Sequence, residues 1–264
     1  MRIDLSGRTA LVAGSTQGIG KSTALSMARS GASLILLGRN TEKLQAVISE
    51  LRDISGDGKQ HHTLQADFSI RGSLQDCLAN AKNVLGEVDI LVNNTGGPPG
   101  GDLLSAEAED FENAFYMHLV CNQLLAKACV PGMMARKHGK IINVISTSVK
   151  QPLPNLGVSN TIRGAVANWA KTLANELGPH GICVNNVLPG ATHTGRLESI
   201  AENKAAKTGK SREEVLDDMA RAVPLRRVAQ PDELAAAICF LASDQANYIN
   251  GINLPVDGGR TSCL

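Results

Sequence analysis

Seven short apolar runs of β type recur along the chain, and most gaps between them carry helical periodicity. The runs cover residues 9–13, 33–37, 62–66, 88–92, 141–145, 182–188 and 252–256. After the first, Ala24, Met27 and Ala28 repeat at i, i+3, i+4, and Gly31 stands where a glycine would stop the helix. Leu44, Val47, Ile48 and Leu51 form a second stripe, and Leu74, Cys77, Leu78 and Ala81 a third. Helices are also expected at about 106–134, broken near Pro131-Gly132, at 159–177, and from Pro231 to residue 241. Near-continuous apolar strands suit a parallel sheet covered on both faces. The pattern predicts a single α/β domain over residues 1–264, a doubly wound parallel sheet of about seven strands. At 264 residues and 43% hydrophobic, the chain can bury a core of that size.

In such sheets ligands sit outside the carboxyl ends of the strands. The strand-ending residues are Gly14, Arg39, Asp67, Asn93, Ser146 and Pro189. Gly14, Ser15, Thr16, Gln17, Gly18, Ile19 and Gly20 join the first strand to the first helix. Glycines there let the backbone approach a ligand, and a helix start offers free N–H groups and a positive dipole end, which suits a diphosphate. The spacing is Gly-x-x-x-Gly-x-Gly rather than the commoner Gly-x-Gly-x-x-Gly. Arg39 follows the second strand, and no acid lies between Ser30 and Asn40. An arginine there pairs with the 2′-phosphate of NADP, whereas NAD asks for an acid, so NADP (NADPH) is the expected cofactor and NAD the less favoured one. The run 96–101, Gly-Gly-Pro-Pro-Gly-Gly, cannot be regular structure. Because the alternation resumes after it, it reads as a loop at the rim of a site, not as a linker.

Composition narrows the partners. Lys+Arg is 26 and Asp+Glu 25, so no basic excess points to nucleic acid or a membrane surface. The six cysteines form no C-x-x-C pair, and no metal site is expected. Free thiols in apolar runs read as a reducing, cytoplasmic setting. No secretion leader and no apolar stretch long enough to span a bilayer is evident. Ser262-Cys263-Leu264 matches a peroxisomal address no better than chance would.

Taken in order, these pieces resemble the short-chain dehydrogenase/reductase family over nearly the whole chain. The matching residues are Gly14 to Gly20, Asp67, Asn93-Asn94-Thr95-Gly96, Ser146, Pro189-Gly190 through Thr194, and Val256-Asp257-Gly258-Gly259. The resemblance implies an NAD(P)-binding Rossmann fold and hydride transfer between nicotinamide and a small carbonyl or alcohol; the nearest chemical comparison is a 3-oxoacyl carrier-protein reductase. It implies that Asp67, with Phe68 beside it, meets the adenine. Asn94, Thr95 and Gly96 would lie beside the cofactor, the Asn93 turn bracing the sheet there. Pro189, Gly190, Thr192 and Thr194 would line the nicotinamide end, with Thr194 on the carboxamide. Residues 195–222 would form a helical lid over the substrate. It also implies a homotetramer; Gly164, Ala165, Ala167, Ala170 and Ala174 could pack across an interface or within one subunit.

The catalytic positions depart from the family's pattern of Ser, then Tyr thirteen on, then Lys four further, with an Asn on the preceding helix. Ser146 is kept, but Ser159 and Arg163 stand for Tyr and Lys, and His118 for Asn. A serine hydroxyl is a far weaker acid than a tuned tyrosine, and arginine does not exchange its proton near neutrality. Arg163 can instead hold a ribose or an anionic substrate. Neither Tyr116 nor Tyr248 has a basic residue four positions later. Three readings follow: a substitute acid, with His193 first and His118 second; a reaction in which Ser146 and Ser159 orient the substrate and no strong protein acid is needed; or an inactive NADP(H)-binding sensor or partner subunit.

Overall fold

The computed structural model describes residues 3–56 and 59–263; Asp57 and Gly58 of the polar loop after the second helix, and Leu264 of the C-terminal tripeptide, lie outside them. Seven parallel strands form one sheet in the order β3-β2-β1-β4-β5-β6-β7. They are β1 (Thr9–Ala13), β2 (Ser33–Gly38), β3 (His62–Gln65), β4 (Ile90–Asn93), β5 (Gly139–Val144), β6 (Ile182–Pro189) and β7 (Asn253–Val256). The helices are α1 (Gly18–Arg29), α2 (Thr41–Ser55), α3 (Ser73–Asn80), α4 (Lys82–Leu85), α5 (Ala108–Phe115), α6 (Cys121–Arg136), α7 (Gly157–Leu177), α8 (Gly195–Thr208), α9 (Arg212–Arg221) and α10 (Pro231–Ala242). Boundaries move from the sequence expectation by one or two residues, as element ends do.

Strand alternation divides the core in two. Ala10, Val12, Leu34, Leu36, Ile90, Val92, Ile142 and Val144 face the layer of α1, α2 and α10. Leu11, Ala13, Ile35, Leu37, Leu91 and Ile141 face the layer holding α3, α6 and α7. Both faces are therefore apolar, which is why the strands read as continuous apolar runs. Ala167, Ala170 and Ala174 are buried within the subunit, so that part of the small-residue stripe serves packing inside one chain.

One expectation is corrected. The helix near 106–134 does not break at Pro131-Gly132; α6 runs on to Arg136 and ends at Lys137 with φ 52°. A single proline removes one hydrogen bond, while Cys129 and Met133 on either side stay buried against the sheet. The irregularity lies earlier, in a π-helical turn at Tyr116–Val120 between α5 and α6. Such turns displace a side chain from its α-helical bearing, and this one carries His118.

Across the buried face of the sheet runs a ladder of side-chain amides. Asn93 donates to Asn143 at 2.8 Å, Asn143 to Asn186 at 2.9 Å, and Asn186 to Asn253 at 2.8 Å. Each pair is in direct register on neighbouring strands. The ladder locks β4 to β7 near the edge where the site lies. Asn143→Leu would leave the Asn93 donor and the Asn186 acceptor buried without partners. Each orphan costs about 1–3 kcal/mol, so denaturant unfolding should show a loss of roughly 2–4 kcal/mol. Asn253→Ala, at the less buried end of the ladder, should cost visibly less.

Candidate active site

The turn between β1 and α1 is fixed by close approach. Gly14 (φ 60°) and Gly18 (φ 53°) occupy the left-handed region. A Cβ on Gly14 would stand 2.7 Å from the Asn94 carbonyl oxygen, and one on Gly20 would stand 2.7 Å from Asn94 Nδ2 and run into the Gly14 carbonyl. Asn94 Nδ2 donates to Ala13 O at 3.2 Å and to Gly14 O at 3.3 Å, which ties the turn to the end of β4. Ser15 is buried, and its hydroxyl donates to Leu37 O. Gln17 enters α1 in an extended conformation with no side-chain cap. The first amides of α1 are thus free to meet an anion at the sheet edge. The loop after β6 closes over this turn: a Cβ on Gly18 would lie 3.0 Å from Thr194 Cγ2. Thr194 accepts from Leu197 N at 3.3 Å and so starts α8, while Thr192 donates to Gly190 O at 3.1 Å. Gly190 N donates to Val256 O at 3.0 Å, placing Pro189 and Gly190 against the last strand.

At the far end of the turn, Arg39 is 77% exposed and 3.9 Å from Asp67 Oδ2. Asp67 Oδ1 accepts from Ser69 N and Oγ at 2.9 and 2.6 Å. The Ser69 hydroxyl bond is the main cause that holds this carboxyl below its usual range. Phe68 is half-buried against the core layer beside it. The glycine cradle, the free amides of α1 and an exposed guanidinium beyond β2 fit a phosphorylated dinucleotide.

A second group gathers at the end of β5. Ser146 accepts from Ser148 N at 3.1 Å, so its oxygen is occupied and its O–H remains available to donate. Arg163 is buried, and its Nη1 donates at 3.2 Å to Val144 O, two residues before Ser146. Ser159 lies one turn earlier on the same face of α7 and is half-buried. His118 is 1% exposed, and neither ring nitrogen has a hydrogen-bond partner. Burial, with the nearby Arg163 charge adding to it, pushes the His118 pKa down to about 2. Burial, then the Arg196 charge, lowers Arg163 to about 10, so it stays protonated at neutrality. The rim loop 96–101 is strapped to the start of α7, Gly101 N donating to Asn155 O at 2.9 Å and Gly157 N to Gly101 O at 3.3 Å. Its Gly97 lies beside Arg163 and Arg196. Thr95 and Gly96 fill the segment between β4 and this loop.

The two histidines expected as substitute acids stand in different surroundings. His118 is held neutral and cannot donate a proton near neutrality. His193 is exposed and lines a cleft with Gly18, Lys21, Ser22 and Leu25. Thr192 before it is buried and bridges to Ala229, and Thr194 after it starts α8. Tyr116 is also committed elsewhere, its hydroxyl donating to Gln75 at 3.1 Å and accepting from Gly72 N at 3.3 Å. Sequence reasoning missed Arg196. The available signal was its place two residues after Thr194, at the mouth of the expected lid.

A profile of the enoyl-(acyl carrier protein) reductase family matches residues 13–261. Oxidoreductase UcpA of Salmonella typhimurium is 36% identical over 97% of this chain and 95% of its own length. Gluconate 5-dehydrogenase of Gluconobacter oxydans is 31% identical over 98% of this chain and 97% of its own. Among solved structures, L-sorbose reductase of Gluconobacter frateurii, complexed with NADPH and L-sorbose, superposes with a TM-score of 0.93 at 30% identity, covering all of both chains. The chain belongs to the short-chain dehydrogenase/reductase family.

The buried neutral His118 should be visible in the pH dependence of stability. The unfolded imidazole takes up a proton below about pH 6.5, whereas the folded one does so only near pH 2. Its contribution is therefore complete above pH 6.5 and is lost as the pH falls, by up to about 1.4 kcal/mol per pH unit. Unfolding curves of wild type and His118→Leu between pH 7 and 5 should converge in that proportion; parallel curves would show an imidazole that protonates in the fold.

Proposed function

We propose that this chain is an NADP(H)-dependent oxidoreductase interconverting a small carbonyl compound and its alcohol. The observation that carries this is Ser146, with its free O–H, fixed at the same strand end as the buried cation Arg163, on the strand next to β4, at whose end Asn94 ties down the glycine cradle. The relatives are named as oxidoreductases, and one is solved with NADPH. None of those names favours an inactive sensor or partner subunit. The amides at Gly18, Ile19 and Gly20 would hold the diphosphate, and Arg39 the 2′-phosphate. Asp67 and Phe68 would border the adenine. Asn94, Thr95, Gly96, Pro189, Gly190, Thr192 and Thr194 would border the nicotinamide end, and α8 with α9 would close over the substrate.

When bound, the cofactor supplies or accepts the hydride. The residues of this chain handle the oxygen. Ser146 donates a hydrogen bond to it, and its own oxygen is steadied by Ser148 N–H. Arg163, tied to the same strand end, keeps a fixed positive charge beside the site, which would offset negative charge developing on that oxygen without proton transfer. His118 is held neutral, and His193 lines the cleft that borders Gly18 and Thr194, away from the strand end that carries Ser146. This favours the reading in which Ser146 and Ser159 orient the substrate and water completes the protonation.

Three variants test this. Arg39→Glu should weaken NADPH binding by about tenfold or more, the worth of one charge-assisted contact, in a fluorescence titration. The fold should be unaffected, since the exposed pair with Asp67 contributes little. Ser146→Ala should lower kcat on an accepted carbonyl by about a hundredfold, while His193→Ala stays within about twofold of wild type. A His193→Ala enzyme as impaired as Ser146→Ala would restore the histidine to the mechanism.

A further inference from the structure

Arg163 is 6% exposed, yet no carboxylate pairs with it among the described residues. Its Nη1 donates to a neutral carbonyl, Val144 O. Its buried neighbour His118 is neutral and unpartnered. A buried cation without an anion is costly, and removing it from water is offset only by a well-placed opposite charge. The nearest other charge has the same sign. Arg196, in the first turn of α8, donates through Nη2 to Pro98 O at 2.6 Å and so reaches across to the rim loop. It too has no ion pair among the described residues. The two guanidinium groups converge on one point: the place where a Gly97 Cβ would stand is 3.8 Å from Arg163 Nη2 and 3.9 Å from Arg196 Nη2. Glycine keeps that point empty. Two like charges, Arg163 buried and Arg196 exposed, border the same glycine, and a carboxylate there would complete the arrangement, because each guanidinium has further donors to offer.

The geometry points to an anion clamp, Arg163 and Arg196 on either side of Gly97, that binds the carboxylate of an oxo-acid or hydroxy-acid substrate. This rests on the proposed oxidoreductase reading and gives it a substrate class. The cofactor's own phosphates have other positions, the amides of α1 and Arg39. Arg163 is tied to the strand end that carries Ser146, so an acid held here presents its carbonyl near the Ser146 hydroxyl. Of two relatives, one is named for a sugar acid, gluconate, and the other for a neutral sugar, L-sorbose. The clamp favours the acid. Arg196 is a specificity residue in this arrangement: it meets the substrate's charge, not its reacting atoms.

The test uses the full chain with wild type, Arg196→Gln and Arg196→Lys. Steady-state kinetics with NADPH compare acids with neutral counterparts, 5-oxogluconate with L-sorbose and acetoacetate with ethyl acetoacetate. Calorimetry measures gluconate binding to the NADP-loaded protein and NADPH binding to the free protein. In Arg196→Gln, the KM for the accepted acid and the Kd for gluconate should rise roughly tenfold or more. Values for the neutral compounds and for NADPH should stay within about twofold, and Arg196→Lys should recover part of the loss. An equal effect on acids and neutral compounds overturns the clamp. A matching loss of NADPH affinity also overturns it, by giving Arg196 to the cofactor's phosphates. If wild type reduces neutral carbonyls but neither binds nor reduces the acids, the clamp falls and the oxidoreductase reading stands. If gluconate binds in an Arg196-dependent way but no carbonyl is turned over, the clamp stands and the oxidoreductase reading falls.

Discussion

Everything at the carboxyl edge depends on how closely the Gly14 turn and the Asn94 backbone approach each other. Side chains at Gly14 or Gly20 would occupy space now filled by Asn94 and by the turn's own carbonyl. The approach brings the ends of β1 and β4 together, and Asn94 Nδ2 seals it with two bonds to backbone carbonyls. It has two results. The start of α1 is left uncapped at the open edge, where its amides can serve an anion. The chain leaving β4 is then directed outward into the 96–101 loop, which reaches the start of α7 and places Gly97 beside the buried arginine. One steric constraint thus positions both the cofactor cradle and one wall of the substrate space.

The sheet was legible in the sequence because a two-sided parallel strand announces itself by unbroken apolarity, and because helices of four turns show their stripes. The amide ladder was not. Its members lie 50, 43 and 67 residues apart along the chain, and each alone reads as a polar residue near a strand end. Only register brings them side by side. The π-helical turn was equally hidden, since residues 116–120 carry no breaker. The proline that the sequence does show further on was tolerated, because burial on both sides of it outweighs one missing hydrogen bond.

The positions proposed to hold the cofactor were legible as places in the fold because their logic is local: a glycine turn, a strand end and the residue following it. The chemistry of the second half depends on surroundings that spacing cannot supply. His118 stands in a legible position, but its protonation is decided by burial and by Arg163, a neighbour 45 positions away. His193 is placed by a contact that spacing cannot show either, the bridge from its neighbour Thr192 to Ala229, 37 positions on.

Arg163 in place of the family's lysine alters more than proton exchange. A lysine in such a position is a point charge that can give up its proton; a guanidinium keeps its charge and offers donors in a fixed plane. With burial lowering its pKa only to about 10, its charge is present across the whole neutral range. Among the described residues no carboxylate pairs with it: the adjacent imidazole is neutral, and the Arg196 charge acts against it. A charge fixed in this way sets a standing electric field at the end of β5. On the mechanism proposed above, that field would act both on an oxyanion developing at Ser146 and on any negative charge the substrate carries.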